Sequence, residues 1–399
     1  MSKWEEKRLE DIIDVNPPVK LKKGESYPFI DIDKVSPTRR SVTNEDVKIY
    51  DGQSSSKFCN GDTVFSRITP CLENRKIAKV SINGDAAFGS TEFYVFRAKK
   101  KKADARFTYY LTSSDAVVLP AINSMTGASG RQRADKRFIQ RLKLNLPDLP
   151  TQERIADILS AYDDLIETNS RRIELLEQAA QELYKEWFVR FRFPGYENVK
   201  FQDGFPKGWI IKRLADYGRI ETGKTPSTEI AENYGGEMMF VKTPDMHGNM
   251  FIIQTEDNLS ERGHNTQPKK LLPANSIMVS CIGTAGVVSI NAETAHTNQQ
   301  INSIILNNPN ELEWLYHTCK SLKETIELFG ATGATMTNLS KGKFEKLKVV
   351  DPGEDLILAY HNKIKPLFDE IKSLMYQNQN LVAQRDMLLP RLMSGKLEV

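Results

Sequence analysis

The chain carries the same short phrases twice, and no other feature limits its possible folds as much. Trp4-x-x-Lys7-Arg8-Leu9 returns as Trp209-x-x-Lys212-Arg213-Leu214, and Thr126-Gly127-Ala128 returns as Thr332-Gly333-Ala334. Pro150, which opens a long helical pattern, returns as Pro352. The offsets are 205, 206 and 202 residues. Three matches in one order at nearly one spacing mark a duplicated unit, with loop insertions and deletions absorbing the drift. Two such units, each a globular part followed by a long helix, imply pseudo-two-fold symmetry. The stretches between the matches differ widely, so the architecture repeats while the exposed chemistry does not.

At 399 residues with 40% hydrophobic content, the chain has room for two ordinary domains with real cores plus helical connectors. The longest apolar stretches, such as Ala116 to Ile122, are too short and too Pro-interrupted to span a bilayer, and Met1-Ser2-Lys3-Trp4-Glu5-Glu6 does not resemble a signal peptide. A cytoplasmic protein without membrane contact is expected. Cys59, Cys71, Cys281 and Cys319 form no C-x-x-C, and His247, His264, His296, His317 and His361 show no ligand spacing beside them, so free thiols are expected rather than a metal site. A net charge of +3 neither demands nor excludes nucleic acid, so any such footprint must come from local clustering.

Thr151 to Phe188 contains no Gly or Pro, and Ile155, Ile158, Tyr162, Leu165, Leu176, Ala179 and Leu183 mark a 3.5-residue seam. This predicts one helix of about 57 Å, with Pro150 in its first turn and Pro194-Gly195 ending it. A second helix is predicted from about Asp355 through Ile364, Leu367, Ile371, Leu374, Leu381 and Leu388, kinked at Pro366 and stopped at Pro390. Asn169 and Asn378 each interrupt an apolar row, where a buried Asn sets register or an exposed one simply faces water. An intramolecular antiparallel pair fits best, with Leu165, Asn169, Leu176, Leu183, Ile371, Leu374, Asn378, Leu381 and Leu388 at its interface. Before each helix lies a mixed α+β region. Strands are expected at Thr63 to Ile68, Phe93 to Phe96, Ser276 to Ile282, Val287 to Ile290 and Ile301 to Leu306, and helices at Arg106 to Val118 and Leu312 to Leu328.

Two motifs invite enzyme readings. Gly218-Arg-Ile-Glu-Thr-Gly223-Lys224-Thr225 satisfies the phosphate-loop pattern, but Pro226 and Gly235-Gly236 follow where a helix must begin, and the first copy lacks the motif. A P-loop NTP-binding enzyme is therefore the rival reading, and Lys224 is expected instead to contact nucleic-acid phosphates. Asn16-Pro17-Pro18-Val19 is close to the loop with which amino-methyltransferases hold a flipped adenine. It lacks the stacking aromatic, which favours a rigid turn. No Ser/His/Asp arrangement or carboxylate pair can be argued from spacing. Basic and amide-rich loops remain. Ser129-Gly130-Arg131-Gln132-Arg133-Ala134-Asp135-Lys136-Arg137 suits phosphate contact and base reading, although a solvated helix face would look the same. The second copy offers Thr335, Thr337, Asn338, Lys341 and Lys343 at the equivalent place, with Thr297-Asn298-Gln299-Gln300 and Gln267-x-Lys269-Lys270.

These residues, taken in order, resemble the specificity (S) subunits of type I restriction-modification systems over essentially the whole chain. In the first half the resemblance rests on Gly61-Asp62-Thr-Val-Phe-Ser-Arg-Ile-Thr-Pro-Cys-Leu-Glu-Asn74, Gly89-Ser-Thr-Glu-Phe93 and Leu146-Pro-Asp-Leu-Pro150-Thr-Gln-Glu-Arg-Ile155. In the second it rests on Phe193-Pro-Gly-Tyr196, Gly204-Phe-Pro-Lys-Gly-Trp209, Thr222-Gly-Lys-Thr-Pro226 and Leu389-Pro-Arg-Leu-Met-Ser-Gly-Lys396. It implies two target recognition domains, 1–145 and 194–348, and two long helices, 146–193 and 349–399, that form a spacer and dock modification subunits. It implies double-stranded DNA as ligand, two modification (M) subunits and restriction (R) subunits as partners, and no catalysis or cofactor in this chain. S-adenosylmethionine, ATP and Mg would belong to the partners. The candidate DNA-contacting set is Arg67, Lys76, Ser90, Thr91, Ser129, Arg131, Gln132, Arg133 and Lys136 in the first half, with Lys224, Gln267, Lys269, Ser280, Thr284, Asn298, Gln299, Thr335, Asn338 and Lys341 in the second. Ser280 and Thr284, within Ser276-Ile-Met-Val-Ser280-Cys-Ile-Gly-Thr284, and Asn298-Gln299-Gln300 depart from the first half's pattern, so the second target half should differ. A coiled-coil scaffold without a DNA role is the third reading.

Overall fold

Trp4–Arg8 pairs antiparallel with Lys143–Pro147, and Ile210–Arg213 pairs antiparallel with Lys348–Asp351. The repeated Trp-x-x-Lys-Arg-Leu phrase is thus the first strand of each copy, held by a last strand that leads into a long helix. Where each strand ends, the Arg8 and Arg213 amides donate to Asp11 and Asp216, both at 2.8 Å. Leu9 and Leu214 then plug the core, each fully buried. The phrase recurs because strand, cap and plug recur. The computed structural model describes residues 4–43, 46–128, 130–202, 204–330 and 338–399. The chain forms two compact units, Met1–Thr168 with Asn378–Val399, and Asn169–Gln377. The repeat Thr332-Gly333-Ala334 and the candidates Ser129, Thr335 and Thr337 lie outside the described residues.

In the first unit a five-stranded sheet runs Ile13–Val15, Phe93–Ala98, Thr63–Ser66, Ile77–Ser81, Ser41–Thr43. Neighbours are antiparallel except the last pair, which is parallel. The second unit repeats that order and that mixture with Gly218–Thr222, Ile301–Leu306, Ile277–Ser280, Val288–Asn291 and Phe251–Ile252. A smaller sheet accompanies each, four-stranded in the first (Asp46–Ile49, Ser26–Ile30, Ala86–Gly89, Ser56–Cys59) and three-stranded in the second (Asn258–Leu259, Tyr234–Val241, Ala295–Thr297). In the second unit an isolated bridge, Leu272 to Ala295, stands where the fourth strand would be. The duplication therefore extends to sheet connectivity.

Each main sheet is buried on both faces, which is why its strands read as apolar runs. Side chains alternate along a strand, so Phe93 and Val95 join Val64, Val80 and Phe58 in one core. Tyr94 and Phe96 join Phe107, Leu111, Ile155 and Leu159 in the other. The region expected as one helix from Arg106 to Val118 is two, Ala105–Ser113 and Asp115–Asn123, because Ser114 is extended. Likewise Leu312–Ser321 and Lys323–Gly330 are separate.

The first long helix is Leu149–Tyr184, finished by a π-type turn over Lys185–Val189. Pro150 sits in its first turn, where the Thr151 amide donates to the Asp148 carboxylate at 3.2 Å. It stops before Pro194, at Phe191, whose φ is 58°. The second, Glu354–Met393, is continuous through Pro366 and also through Pro390, which was expected to end it. Proline removes its own backward hydrogen bond, but the residues after it bond to carbonyls that the ring leaves free. Within the first unit Arg385 bonds Asp163 at 2.6 Å, and Asn378 Nδ2 donates to the Ile166 carbonyl at 3.4 Å. Within the second, Arg172 bonds Glu370 at 2.5 Å and the Tyr360 hydroxyl donates to the Ala180 carbonyl at 3.1 Å. Rising positions on one helix meet falling positions on the other, so the helix segments in each unit are antiparallel.

Asn169, Ile371 and Leu374 are buried, Leu176, Leu183 and Leu388 pack partly buried against the cores, and Asn378 and Leu381 are half-buried. Leu165 is 46% exposed and lies off the seam. The buried row of the first helix runs through Ile155, Leu159, Asp163, Asn169, Ala180 and Tyr184. Apolar counting steps over its polar members and so shifts the register. Among the described residues no helix is long and apolar enough to cross a membrane.

Candidate nucleic-acid interface

In the first unit the register Phe93 to Ser66 brings Glu92 opposite Arg67, and the Arg67 amide donates to the Glu92 carbonyl at 2.9 Å. The segment after Thr126 is laid alongside. Arg133 bridges both Ile68 and Thr126, the Ala134 amide donates to the Arg67 carbonyl at 2.8 Å, and the Thr69 amide to the Gln132 carbonyl at 3.0 Å. Tyr94 locks it from below, its hydroxyl donating to the Ala134 carbonyl at 2.7 Å. On this frame the Glu92 carboxylate accepts Arg67 Nε at 3.1 Å, Arg133 Nε at 2.9 Å and Arg133 Nη2 at 2.7 Å. The Arg133 hydrogen bond, then Arg67, hold the Glu92 carboxyl below the usual carboxylate range against its partial burial. Arg67 also lies 5.5 Å from the Tyr94 ring centroid. Gly89 is required beneath this group because a Cβ there would come within 2.0 Å of the Ile30 carbonyl oxygen.

Arg67, Ser90, Thr91, Gln132 and Arg133 are thus brought together, with exposed Arg131 and half-buried Lys136 on the adjoining segment. Lys76 is committed elsewhere, its ammonium donating to the Ile32 carbonyl at 3.0 Å. Sequence reasoning placed Glu92 in a motif but not in the site. Its signal is position, one residue before a strand that faces Arg67.

The second unit has the same backbone frame. The Cys281 amide donates to the Gln300 carbonyl at 2.7 Å and the Leu339 amide to the Cys281 carbonyl at 2.9 Å, Asn338 bridges Ile282, and Asn302 Nδ2 donates to the Leu339 carbonyl at 3.3 Å. Cys281, Gln300 and Asn338 therefore occupy the places of Arg67, Glu92 and Arg133, and a charged cluster is replaced by a neutral one. Asn338 and Gln299 are exposed, as are Thr284, Lys224, Lys269 and Lys341. The Thr225 hydroxyl donates to Gln299 Oε1 at 2.5 Å, and Lys341 pairs with Glu345 at 3.8 Å.

Three second-half candidates face inward and are withdrawn as contacts. Ser280 is fully buried, its hydroxyl donating to the Thr284 carbonyl at 2.6 Å and accepting from the Val287 amide at 2.9 Å. Asn298 closes on Gln300, and Gln267 is only 4% exposed. Ser280 and Asn298 are polar side chains consumed in folding turns, whereas the Gln267 amide is buried without a hydrogen-bond partner among the described residues. Composition alone distinguishes neither kind from a group offered to a ligand.

The phosphate-loop pattern does not form a phosphate loop. Gly218–Thr222 is a strand paired with Ile301–Leu306, and the next element is a single 3-10 turn, Ala231–Asn233, so no helix N-terminus faces Lys224. Gly223 is there for close approach, since a Cβ would lie 2.2 Å from the Thr297 and Asn298 carbonyl oxygens. Asn16-Pro17-Pro18 leaves the equivalent edge strand in the first unit, and Asn16 Oδ1 accepts from the Val95 amide at 2.8 Å. Both decoys are structural turns. Among the described residues no cluster of three or more His, Cys, Asp or Glu could hold a metal, and all four cysteines are unpaired.

Residues 1–178 and 206–353 match the family described as the type I restriction modification DNA specificity domain. The chain is 32% identical to the type I restriction enzyme HindI specificity subunit of Haemophilus influenzae, over 88% of this chain and 90% of that one. It is 25% identical to the MjaIX specificity subunit of Methanocaldococcus jannaschii, over 99% and 94%. The S subunit of a type I restriction-modification system from M. genitalium shares the fold with a TM-score of 0.58 at 14% identity, covering 98% of this chain and 96% of that one. With two matching segments that coincide with the duplicated sheets, the chain belongs to the type I restriction-modification specificity subunit family.

Proposed function

We infer that this chain is the DNA sequence-recognition subunit of a type I restriction-modification complex. It reads a bipartite, asymmetric target and performs no chemistry of its own. The supporting observation is that one backbone frame occurs twice and carries Arg67, Glu92 and Arg133 in one unit but Cys281, Gln300 and Asn338 in the other. Phosphate contacts supply affinity without sequence information, and side chains on base edges supply the sequence. A duplicated frame with unlike side chains is what reading two unlike half-sites requires.

In this reading the long helices act as the spacer between half-sites and as the docking surface for two modification subunits, which would bring S-adenosylmethionine and methylate adenine. Restriction subunits would add ATP- and Mg-dependent translocation and cleavage, with no cofactor held by this chain. The exposed candidates Thr91, Arg131, Arg133, Lys224, Lys269, Thr284, Gln299, Asn338 and Lys341, with half-buried Arg67, Ser90, Gln132 and Lys136, form the proposed DNA-facing set. The test is co-production with its modification subunits and methylation mapping across a genome. The expected result is one split asymmetric motif. Absence of sequence-restricted methylation, together with no salt-dependent duplex binding by the assembled complex, leaves only the scaffold reading.

A further inference from the structure

The duplication allows the two units to be compared position by position. At the equivalent frames the first unit presents two guanidinium groups joined by the Glu92 carboxylate, whereas in the second the Cys281 thiol is buried, the Gln300 amide is bonded by Asn298, and only Asn338 is exposed. Three residues beyond each frame the units agree again. Lys136 is the first residue of the short helix Lys136–Gln140, and Lys341 is the first residue of its counterpart Lys341–Phe344. A lysine kept in both copies beside side chains that change is the pattern expected where the backbone of the ligand is common and its bases are not.

We propose that Glu92 is a positioning residue that aims Arg133 and Arg67 at a guanine-bearing base pair in one half-site, and that Lys136 and Lys341 are phosphate anchors common to both units. The proposal rests on the reading of the chain as a DNA-recognition subunit and adds which unit uses which chemistry. Glu92 takes up one of the two positive charges and fixes Arg133 by its Nε side, through contacts at 2.9 and 2.7 Å. The remaining edge, whose Nη1 makes only a long 3.5 Å contact to the Arg131 carbonyl, offers the planar fork that matches guanine O6 and N7. With no cation at the corresponding place, the second unit offers Asn338, suited to the N6 and N7 edge of adenine. The two half-sites are thereby distinguished by the kind of group that reads them.

The full chain, co-purified with its modification subunits, is incubated with a randomised duplex pool and the retained fraction sequenced. Affinity for the selected sequence is then measured against salt. In Arg133→Asn and in the near-isosteric Glu92→Gln, preference for guanine at one position of one half-site should fall at least tenfold, with the other half-site unchanged. Lys136→Ala should weaken all sequences alike, preserve the order of preference, and reduce the slope of log affinity on log salt by about 1. Thermal unfolding of each variant separates misreading from misfolding. Unaltered preference in a folded Arg133→Asn complex overturns the assignment, as does uniform weakening without change of preference. A wild-type complex that selects no sequence at all instead removes the underlying function.

Discussion

His317 is almost fully buried among Tyr184, Tyr316, Tyr360 and Phe368. Burial, then nearby Lys320, lowers its pKa to about 3. His296 is fully buried against His264, and burial followed by that neighbour lowers it to about 4. Both imidazoles are neutral in the folded chain, whereas in the unfolded chain they take up protons near pH 6.5. Below that pH the unfolded state binds more protons at these two sites, so they should lower stability as pH drops from about 6.5 towards 4, against the opposite contribution of Glu311, whose pKa burial raises to about 7. Urea unfolding at pH 7.5 and pH 5 checks this, and His317→Phe should flatten the dependence. An equal slope in that variant would place the effect elsewhere. Neither histidine was legible as a core residue in the sequence, because nothing local distinguishes a buried ring from a ligand.

Helix Leu149–Tyr184 meets the segment of its partner helix within the first unit through polar contacts. Asp163 is 2% exposed, accepts from the Tyr110 hydroxyl at 2.6 Å and pairs with Arg385 at 2.6 Å, while Arg40 reaches Asp164 and Glu167 from the recognition lobe. Removing one partner of a buried pair strands the other, so Asp163→Ala should cost roughly 3–5 kcal/mol in chemical denaturation. Asp163→Leu with Arg385→Met should recover most of that loss, since apolar replacement of a whole buried pair is often neutral or better. In the second unit aromatic packing accompanies the pair of Arg172 with Glu370, with Tyr360 edge to face on Trp187 and Phe188 of the π-type turn, and Phe368 edge to face on Tyr316 of the helix Leu312–Ser321. Periodicity identified both helices, and most of the residues it counted on their seam are buried or half-buried. It misplaced Leu165 because the true row passes through Asp163 and Asn169.

On the scale of the whole chain, the proposed division of labour makes two predictions. Exchanging residues 1–145 for those of another specificity subunit should change one half-site only, and methylation mapping that shows both altered would contradict modular reading. Lengthening both helices by seven residues, after Leu176 and after Leu367, keeps the seam register and adds about 10 Å. The accepted spacer should then grow by about three base pairs with both half-sites unchanged. An unaltered spacer in the mapped motif would sink the ruler.

The repeat, the mixed lobes, the two long helices and the failure of the phosphate-loop pattern were legible because each is a matter of spacing along the chain: a phrase returns, an apolar period persists, a proline stands where a helix must start. The pairing of Glu92 with Arg67 and Arg133, and its neutral counterpart at Gln300, joins residues far apart in sequence through strand register. The inward turn of Ser280, Asn298 and Gln267 depends on which face of a strand or turn each occupies. A one-residue difference in register reverses which face a side chain takes, so the reach of a polar group is settled by packing rather than by its type.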